Sequence, residues 1–262
     1  MDKLKEIMNH KWKELEGMLR PIPSAELKSL VDLERPNLFD ALYGHEQVSV
    51  ISEIKRKSPS AGDIAKNASA LSQAKLYETA EADGISILTD QKYFSGSLED
   101  LEKVTGHITQ NGSNIPCIRK DFFIHPIQVV EAANAGASAI LIIARALSNR
   151  EISDLFSAAN QVGLDSIFEI HNEGDLERSV SAGAKIIGVN NRNLATFTTD
   201  LALSERLIPQ IPKECVSIAE SGIFNLQDIA RVKAAGAQAV LIGQALMEHS
   251  DPGSFIREIH SL

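Results

Sequence analysis

AGASAILIIAR, residues 135–145, joins the end of a predicted helix to an almost continuous apolar run. Gly136 is placed to adopt the left-handed conformation that commonly ends a helix. The run after it is apolar at nearly every position, as in strands that are buried on both faces. The same junction recurs as AGAK at 182–185 and AGAQ at 235–238. A repeated junction of this kind indicates helices that alternate with parallel strands.

Strand-like runs continue at regular intervals after residue 46. There are eight of them: VSVISEI (48–54), GISILTD (84–90), IPCIRKDF (115–122), SAILIIAR (138–145), DSIFEIH (165–171), AKIIGVNN (184–191), CVSIAESGI (215–223) and QAVLIGQ (238–244). Eight units in roughly 215 residues predict an α/β fold, a (β/α)8 TIM barrel. A doubly wound open sheet is the alternative, but no Gly-rich dinucleotide fingerprint follows the first strand.

The segments between these runs contain recognisable helix starts. Ser148 and Glu151 form a capping-box pattern, His125-Pro126 opens another helix, and Ser97 can cap a third. Glycines just before the next strand are expected to end the helices, namely Gly84, Gly136, Gly163, Gly183 and Gly236.

Residues 1–46 precede the first unit and contain a charged amphipathic helix and a proline-bounded turn. We expect this N-terminal helical extension to pack on the barrel, so that residues 1–262 form a single domain. The chain has no tail long enough for a second barrel, which predicts a monofunctional protein. No interface stripe is evident, and a monomer is the simplest expectation.

The composition excludes several classes of protein. Hydrophobic residues make up 44% and charged residues 23% of the chain, so a sizeable core is possible. The net charge of −9 argues against nucleic-acid binding. No apolar run is long enough to span a membrane, and the N-terminus has no signal-peptide core, which is typical of a soluble cytoplasmic protein. Cys117 and Cys215 lack metal-site spacing, and we expect no metal and no cofactor.

Charged side chains cluster where the predicted strands end. Read with a period of two, the first strand places Glu53, Lys55 and Lys57 on one face. Further polar groups follow the other strands, namely Asp90, Lys120, Asp121, Arg145, Glu169, Asn190, Arg192, Glu220, Ser221, Gly243 and Gln244. Any single Lys–Glu pair could be a structural ion pair. Convergence of so many at one rim favours an active site, because burying unpaired charge is costly.

The last two strands suggest where a phosphate would bind. Ser221-Gly222 and Gly243-Gln244 expose backbone N–H groups near a turn or helix start, a position that often holds phosphate in barrels. Lys57 could supply positive charge from the first strand, which adjoins the eighth when the barrel closes. The predicted ligand is therefore anionic.

Seven motifs in order resemble those of the indole-3-glycerol phosphate synthase family. They are EIKRKSPS (53–60), LTDQKYFSGS (88–97), RKDFF (119–123), FEIH (168–171), GVNNRNL (188–194), AESGI (219–223) and LIGQALM (241–247). The resemblance covers the whole chain. It implies conversion of 1-(2-carboxyphenylamino)-1-deoxyribulose 5-phosphate to indole-3-glycerol phosphate, with loss of CO2 and water, in tryptophan biosynthesis. One departure is Gln244, where a serine or another small or acidic residue is expected.

The resemblance also implies roles for individual residues. Lys120 would be the general acid and Glu169 the base. Lys55 would bind the carboxylate and supply a second proton, and Glu53 would orient and tune both lysines. Asn190 and Glu220 would contact polar parts of the substrate, and Arg192 its anthranilate end. The phosphate grip would comprise Lys57, Ser58, Ser221, Gly222, Gly243 and Gln244. The apolar wall around the aromatic ring would comprise Phe94, Phe122, Leu141 and Ile242.

Two other functions would require different residues at the strand ends. Phosphoribosylanthranilate isomerase is a related phosphate-binding barrel, but it would need Cys and Asp at the ends of the first and sixth strands, which here carry Lys and Asn. A catalytically silent, sugar-phosphate-binding barrel would be expected to lack at least one of Lys55, Lys120 and Glu169, and all three are present.

Overall fold

The computed structural model describes residues 3–31, 35–193 and 198–262. Within them, each of the eight predicted strands is present, although the strands are shorter than the apolar runs that predicted them. Met1 and Asp2 of the extension, residues 32–34 and Leu194 of the GVNNRNL motif lie outside the described residues. The barrel strands are β1 (Ser49–Ile54), β4 (Gly84–Leu88), β5 (Cys117–Lys120), β6 (Ala139–Ile143), β7 (Asp165–Ile170), β8 (Ile186–Asn190), β9 (Val216–Glu220) and β10 (Ala239–Ile242).

These strands form a closed parallel barrel in the order β1-β10-β9-β8-β7-β6-β5-β4. Strand β1 closes it by pairing with β10 on one side and with β4 on the other. The predicted (β/α)8 fold is therefore confirmed. A two-stranded hairpin, β2 (Lys57–Ser58) and β3 (Gly62–Asp63), follows β1 and was not predicted.

Helices separate the strands and surround the barrel. They are α1 (Lys3–Leu15), α2 (Ser24–Lys28), α3 (Leu38–Leu42), α4 (Ala70–Thr79), α5 (Gln91–Phe94), α6 (Leu98–Gln110), α7 (Pro126–Asn134), α8 (Asn149–Gln161), α9 (Glu173–Ser181), α10 (Ala202–Leu207), α11 (Leu226–Ala234), α12 (Gln244–Glu248) and α13 (Pro252–His260). Short 3-10 turns occupy Ala144–Ala146 and Ile208–Gln210.

The predicted helix starts are confirmed. Ser148 and Glu151 form a reciprocal capping box, and the side chains of His125 and Ser97 each accept a hydrogen bond from the first turn of their helix. Among the predicted helix ends, four glycines have positive φ: Gly136, Gly163, Gly183 and Gly236.

The prediction for Gly84 is wrong. Gly84 is the first residue of β4, and Glu81 adopts the left-handed conformation after α4 instead, with φ of 60°. A Cβ at Gly84 would come within 3.5 Å of the Leu38 side chain and 3.6 Å of that of Ile51. Gly84 therefore lies where the barrel interior meets α3, and a Cβ there would make only ordinary van der Waals contacts.

The alternation of β1 divides its side chains between two apolar clusters. Ile51 packs with the cluster inside the barrel, whereas Val50 and Ile54 pack between the barrel and the helices. Glu53 shares the inward face with Ile51 and is buried. Because β1 ends at Ile54, the period of two does not continue to Lys57, which lies in the hairpin.

The N-terminal extension contacts both ends of the barrel. At the N-terminal end of the strands, Leu38 and Leu42 of α3 are fully buried against the interior cluster. The carboxylate of Asp165 at the start of β7 accepts hydrogen bonds from the backbone N–H groups of Leu38 and Phe39, at 2.8 and 3.1 Å. Helix α3 therefore covers the N-terminal end of the barrel.

At the other end, a buried lysine joins α1 to the strand ends. The Nζ atom of Lys11 lies 3.0 Å from Asp121 after β5, 3.1 Å from Asp90 after β4 and 3.0 Å from Glu14. Burial alone would lower the pKa of Lys11, but Asp121 and Asp90 outweigh it, so the pKa lies above its ordinary value. Lys11 is therefore a cation that these two buried aspartates hold in place.

Replacement of Lys11 by methionine is expected to destabilise the fold. The substitution leaves Asp90 and Asp121 buried with less compensating charge, and breaking a buried ion pair typically costs about 3–5 kcal/mol. The free energy of unfolding from urea titration measures this loss. Lys13→Met removes an exposed lysine of the same helix and is the matched control. Equal stability of the two variants would contradict the anchoring role of Lys11.

Candidate active site

One cavity opens at the C-terminal ends of the strands, with an internal volume of about 130 Å3. The predicted site residues that line it are Glu53, Lys55, Ser58, Phe94, Lys120, Phe122, Leu141, Glu169, Asn190, Arg192, Glu220, Ser221, Gly222, Ile242, Gly243 and Gln244. Residues from eight different strand ends and their loops are thus brought together at a single place.

Lys57 is the predicted site residue that does not line the cavity. It pairs with Asp63 in the hairpin that follows β1. Its neighbour Arg56 points away toward α6, where its guanidinium forms two hydrogen bonds with the Asp100 carboxylate, at 2.7 and 2.8 Å. The turn after Ile54 therefore directs consecutive cations to different surroundings.

Lys120 lies among three buried carboxylates on the cavity floor. Its Nζ atom donates a hydrogen bond to Glu220 Oε2 at 2.7 Å and lies 3.6 Å from Glu169 Oε2. The third carboxylate, Glu53, accepts a hydrogen bond from Lys55 Nζ. The floor thus holds two lysines and three glutamates, with little exposure to water.

The pKa shifts of this cluster follow from burial and neighbouring charge. Burial would lower the pKa of Lys120, but Glu220, Glu169 and Glu53 outweigh it, and the pKa lies above its ordinary value. Burial would raise the pKa of Glu53, but Lys55 and Lys120 outweigh it and the pKa is lowered. The pKa of Glu220 is raised, because burial and the charge of Glu169 outweigh the effect of Lys120. Lys120 is therefore held cationic, whereas Glu220 takes up a proton more readily than an ordinary glutamate does.

Two glycines make room for this cluster. A Cβ at Gly188 of β8 would overlap the Glu220 carboxylate, and a Cβ at Gly243 would overlap that of Glu53. Both carboxylates can therefore lie flat against a neighbouring strand. The Oε1 atom of Glu220 is buried and has no hydrogen-bond partner among the residues that the structure describes. It is available to accept a bond from a ligand.

The turn after β9 has an uncommon backbone. Ser221 and Gly222 both have positive φ, 64° and 76°, and for serine this conformation is strained. Asn191 supports the turn by donating its side-chain amide to the carbonyl oxygens of Glu220 and Ser221, at 3.0 and 3.2 Å. Its own Oδ1 atom accepts hydrogen bonds from the N–H and hydroxyl of Ser204 in α10. Asn191 therefore links the turn after β9 to α10.

The opposite wall of the cavity is apolar. The rings of Phe94 and Phe122 lie with their centroids 5.9 Å apart and inclined by 38°. Leu141 projects from β6, and Leu4 and Ile7 extend the wall from α1. The cavity is thus charged on its floor and apolar along its side.

Two further predicted residues have contacts of their own. The backbone N–H of Arg192 donates to the side-chain oxygen of Asn190 at 3.0 Å, and partial burial lowers the pKa of Arg192. The side-chain amide of Gln244 donates to the Glu248 carboxylate one turn further along α12, at 3.2 Å. Gln244 lines the cavity, but its side-chain amide is already hydrogen-bonded to Glu248.

The sequence did not single out Lys11 or the bracing role of Asn191. A signal for Lys11 was present, because it falls at helical spacing from Leu4, Met8 and Leu15, which are all buried. A lysine on the apolar face of a helix indicates a buried partner. The contacts of Asn191 depend on β9 and α10 and leave no local pattern in the sequence.

The structure places His171 beside Glu169. Its Nε2 atom lies 3.5 Å from Glu169 Oε1, and its side chain is 5% exposed. Burial, with a smaller effect from Arg145, lowers the pKa of His171 to about 4. The contact is therefore between a neutral imidazole and a carboxylate.

The described part of the chain contains neither a metal-binding cluster nor a membrane-spanning helix. Across residues 3–31, 35–193 and 198–262, no group of three or more His, Cys, Asp or Glu side chains could hold a metal ion. No helix in the same ranges is both long enough and apolar enough to cross a membrane.

Solved structures with the same fold are distant in sequence. Thiamine phosphate pyrophosphorylase from Pyrococcus furiosus superposes with a TM-score of 0.61 at 12% identity, over 86% of this chain and 98% of that one. A 3-hexulose-6-phosphate synthase gives a TM-score of 0.61 at 17% identity, over 82% of this chain and 99% of that one. At these identities the similarity supports the barrel fold alone.

Sequence relatives are much closer. The indole-3-glycerol phosphate synthase of Opitutus terrae is 53% identical over 99% of both chains, and that of Desulfosudis oleivorans is 40% identical over 98% of both. A family model described as indole-3-glycerol phosphate synthase matches residues 4–259. Together with the cluster of lysines and glutamates on the barrel rim, these matches place the chain in the indole-3-glycerol phosphate synthase family.

Proposed function

We propose that the protein converts 1-(2-carboxyphenylamino)-1-deoxyribulose 5-phosphate to indole-3-glycerol phosphate, with Lys120 and Glu169 as its acid and base. One observation carries this assignment. A buried lysine lies 2.7 Å from one glutamate and 3.6 Å from another, at the floor of a cavity with an apolar wall. An acid and a base are thus held side by side where an aromatic substrate can bind.

The first step joins the aromatic carbon that bears the carboxylate to the ketone carbon of the sugar chain. As this bond forms, the carbonyl oxygen gains negative charge and needs a proton. Lys120 supplies it, since its neighbouring carboxylates keep it protonated. A lysine with a raised pKa can still protonate this oxygen, because an alkoxide is a stronger base than an amine.

The later steps remove CO2, water and a proton. Ring closure leaves an iminium-type cation, which the surrounding glutamates stabilise electrostatically. Loss of CO2 then returns an electron pair to the ring. Protonation of the hydroxyl by Lys55 lets it leave as water, and Glu169 accepts the proton whose loss completes the indole.

The same surroundings can bind the two anionic ends of the substrate. Lys55 and Arg192 supply positive charge for the carboxylate end, and Asn190 and Glu220 can contact hydroxyl groups. The backbone around Ser221, Gly222 and Gly243, with Ser58 and Gln244, would hold the phosphate, since all of these residues line the cavity. Lys57 does not line the cavity and would contribute only its charge, from the position next to Ser58 in the hairpin. Local cations are needed because the protein carries a net charge of −9.

The apolar wall completes the site. Phe94, Phe122, Leu141 and Ile242 would pack against the aromatic ring and exclude water from the reacting carbons. The remaining proposals concern the protein as a whole: residues 1–262 act as a single domain in the cytoplasm, on a small-molecule substrate and without a cofactor or nucleic acid.

The experiment that tests the activity is indole fluorescence after mixing the purified protein with the substrate. Fluorescence that rises with protein concentration and persists in a chelator is the expected result. Binding of the substrate without any fluorescence would instead support a catalytically silent barrel. Neither binding nor fluorescence would mean that the substrate is wrong.

A further inference from the structure

His171 contacts the proposed base but was assigned no role in the reaction. His171 lies one residue past the end of β7 and two positions after Glu169. The distance of 3.5 Å between His171 Nε2 and Glu169 Oε1 is the only one under 4 Å that joins a histidine to the Lys120 cluster within the described residues.

The surroundings of His171 leave its ring nitrogens available to Glu169. Both Nδ1 and Nε2 are buried, and neither has a hydrogen-bond partner among the residues described. The backbone is held separately, because the N–H of His171 donates to Asp175 at 3.0 Å. A buried N–H without a partner is costly, and a carboxylate within reach is the group that can satisfy it.

Several charged groups face the imidazole. On the rim these are Glu169, Glu220 and Lys120, from α9 there is Asp175, and from the turn after β6 there is Arg145. The carboxylates favour a charged imidazole, whereas burial and the two cations oppose it and prevail. His171 is therefore neutral at neutral pH and can donate through Nε2 without forming an ion pair.

We infer that His171 is a positioning residue that donates a hydrogen bond from Nε2–H to Glu169 Oε1 and orients the base toward the substrate. This inference rests on the proposed function of Glu169. A neutral donor suits the task, because it fixes the carboxylate while leaving it free to accept a proton. Contacts among catalytic groups are often long before substrate binds and shorten in the complex.

Lys120 approaches the same carboxylate from the other oxygen, Oε2, at 3.6 Å. Glu169 would thus be held between one neutral donor and one cation, each on its own oxygen. Loss of His171 leaves the carboxylate free to turn toward Lys120, which would strengthen that ion pair and weaken the base.

The test compares His171→Leu, which removes the donor, with His171→Gln, which keeps an N–H. His171→Leu is expected to lower kcat about ten- to a hundredfold, with a smaller change in KM. A loss of this size in kcat corresponds to one hydrogen bond to a charged group. Because the stronger contact with Lys120 weakens the base, the acid limb of its pH profile should move to lower pH by about one unit. His171→Gln should recover most of kcat.

His107→Leu is the matched control, because it also breaks a histidine–glutamate contact, with 2.8 Å between His107 Nε2 and Glu78 Oε2 on the helices outside the barrel. It should leave kcat and the pH profile unchanged. An unchanged kcat and acid limb in His171→Leu, or failure of His171→Gln to recover, would overturn the inference.

A measurement on the wild type decides the question even if His171→Leu does not fold. Nitrogen-detected NMR should show the His171 ring neutral, protonated on Nε2, and without titration between about pH 5 and 8. Titration near the ordinary histidine range, or a proton on Nδ1, would overturn the inference. If the wild type forms no indole, the proposed function fails, and this NMR result still tests the contact with Glu169.

Discussion

Lys120→Ala is expected to abolish ring closure while the barrel remains folded. General acid catalysis typically contributes 10²- to 10⁴-fold, so kcat should fall by about a thousandfold or more. The substitution also leaves Glu53, Glu169 and Glu220 without their shared cation. The fold should tolerate this, because the pKa of Glu220 is already raised and that carboxyl can take up a proton. Indole fluorescence measures turnover, and circular dichroism checks the fold.

Two further results complete the test of Lys120. Lys103→Ala removes a half-exposed lysine paired with Glu99 on α6 and should leave kcat unchanged. In the wild type, the raised pKa means that Lys120 stays protonated up to and beyond the ordinary value of 10.5, so deprotonation of Lys120 should not limit activity below that pH. Turnover at the wild-type rate by Lys120→Ala would remove Lys120 from the acid role.

Glu169→Gln is expected to lower kcat by about 10²- to 10⁴-fold with little change in substrate affinity. Glutamine preserves the shape of the side chain but cannot accept a proton as a base. Because Glu169 is assigned to the last proton removal, a single turnover of this variant should release CO2 before the indole signal appears. Stopped-flow fluorescence with a parallel CO2 assay measures the two events.

The control for this variant is Glu177→Gln, which changes an exposed glutamate on α9. It should match the wild type in both signals. If Glu169→Gln instead lost substrate binding while kcat for bound substrate held, Glu169 would be a ligand contact and not a base.

Much of the fold could be predicted because its signals are local. Continuous apolar runs identify buried parallel strands, and the capping residues Ser97, His125 and Ser148 identify the helix starts. Strand ends then share one rim by topology, which is why side chains as distant in sequence as Lys55 and Glu220 could be expected to meet.

The remaining features depend on contacts that leave little local pattern. Lys57 was predicted to face the barrel interior because the period of two was extended beyond β1. The strand ends at Ile54, so that extension does not hold. Gly84 resembled a helix-ending glycine, but it is the first residue of β4, and the left-handed residue after α4 is Glu81. The hairpin after β1 has only two residues in each strand, too few for an alternating pattern.

The close packing of the floor is a further case. Gly188 lies in the GVNNRNL motif, yet its steric role becomes visible only when β9 places the Glu220 carboxylate against it. Pairing of Asn190 with Glu220 across β8 and β9 determines that approach. Such a contact follows from the register of the barrel, which the sequence of either strand alone does not specify.

The most direct test of the central claim follows both products from one labelled substrate. The protein is mixed with 1-(2-carboxyphenylamino)-1-deoxyribulose 5-phosphate carrying ¹³C in its carboxylate, and ¹³CO2 and indole fluorescence are recorded together. The assignment of the Lys120 and Glu169 cluster to ring closure predicts that both appear in equal amounts with the wild type and that neither appears with Lys120→Ala. Equal yields from the two proteins, or bound substrate that the wild type leaves unchanged, would contradict it.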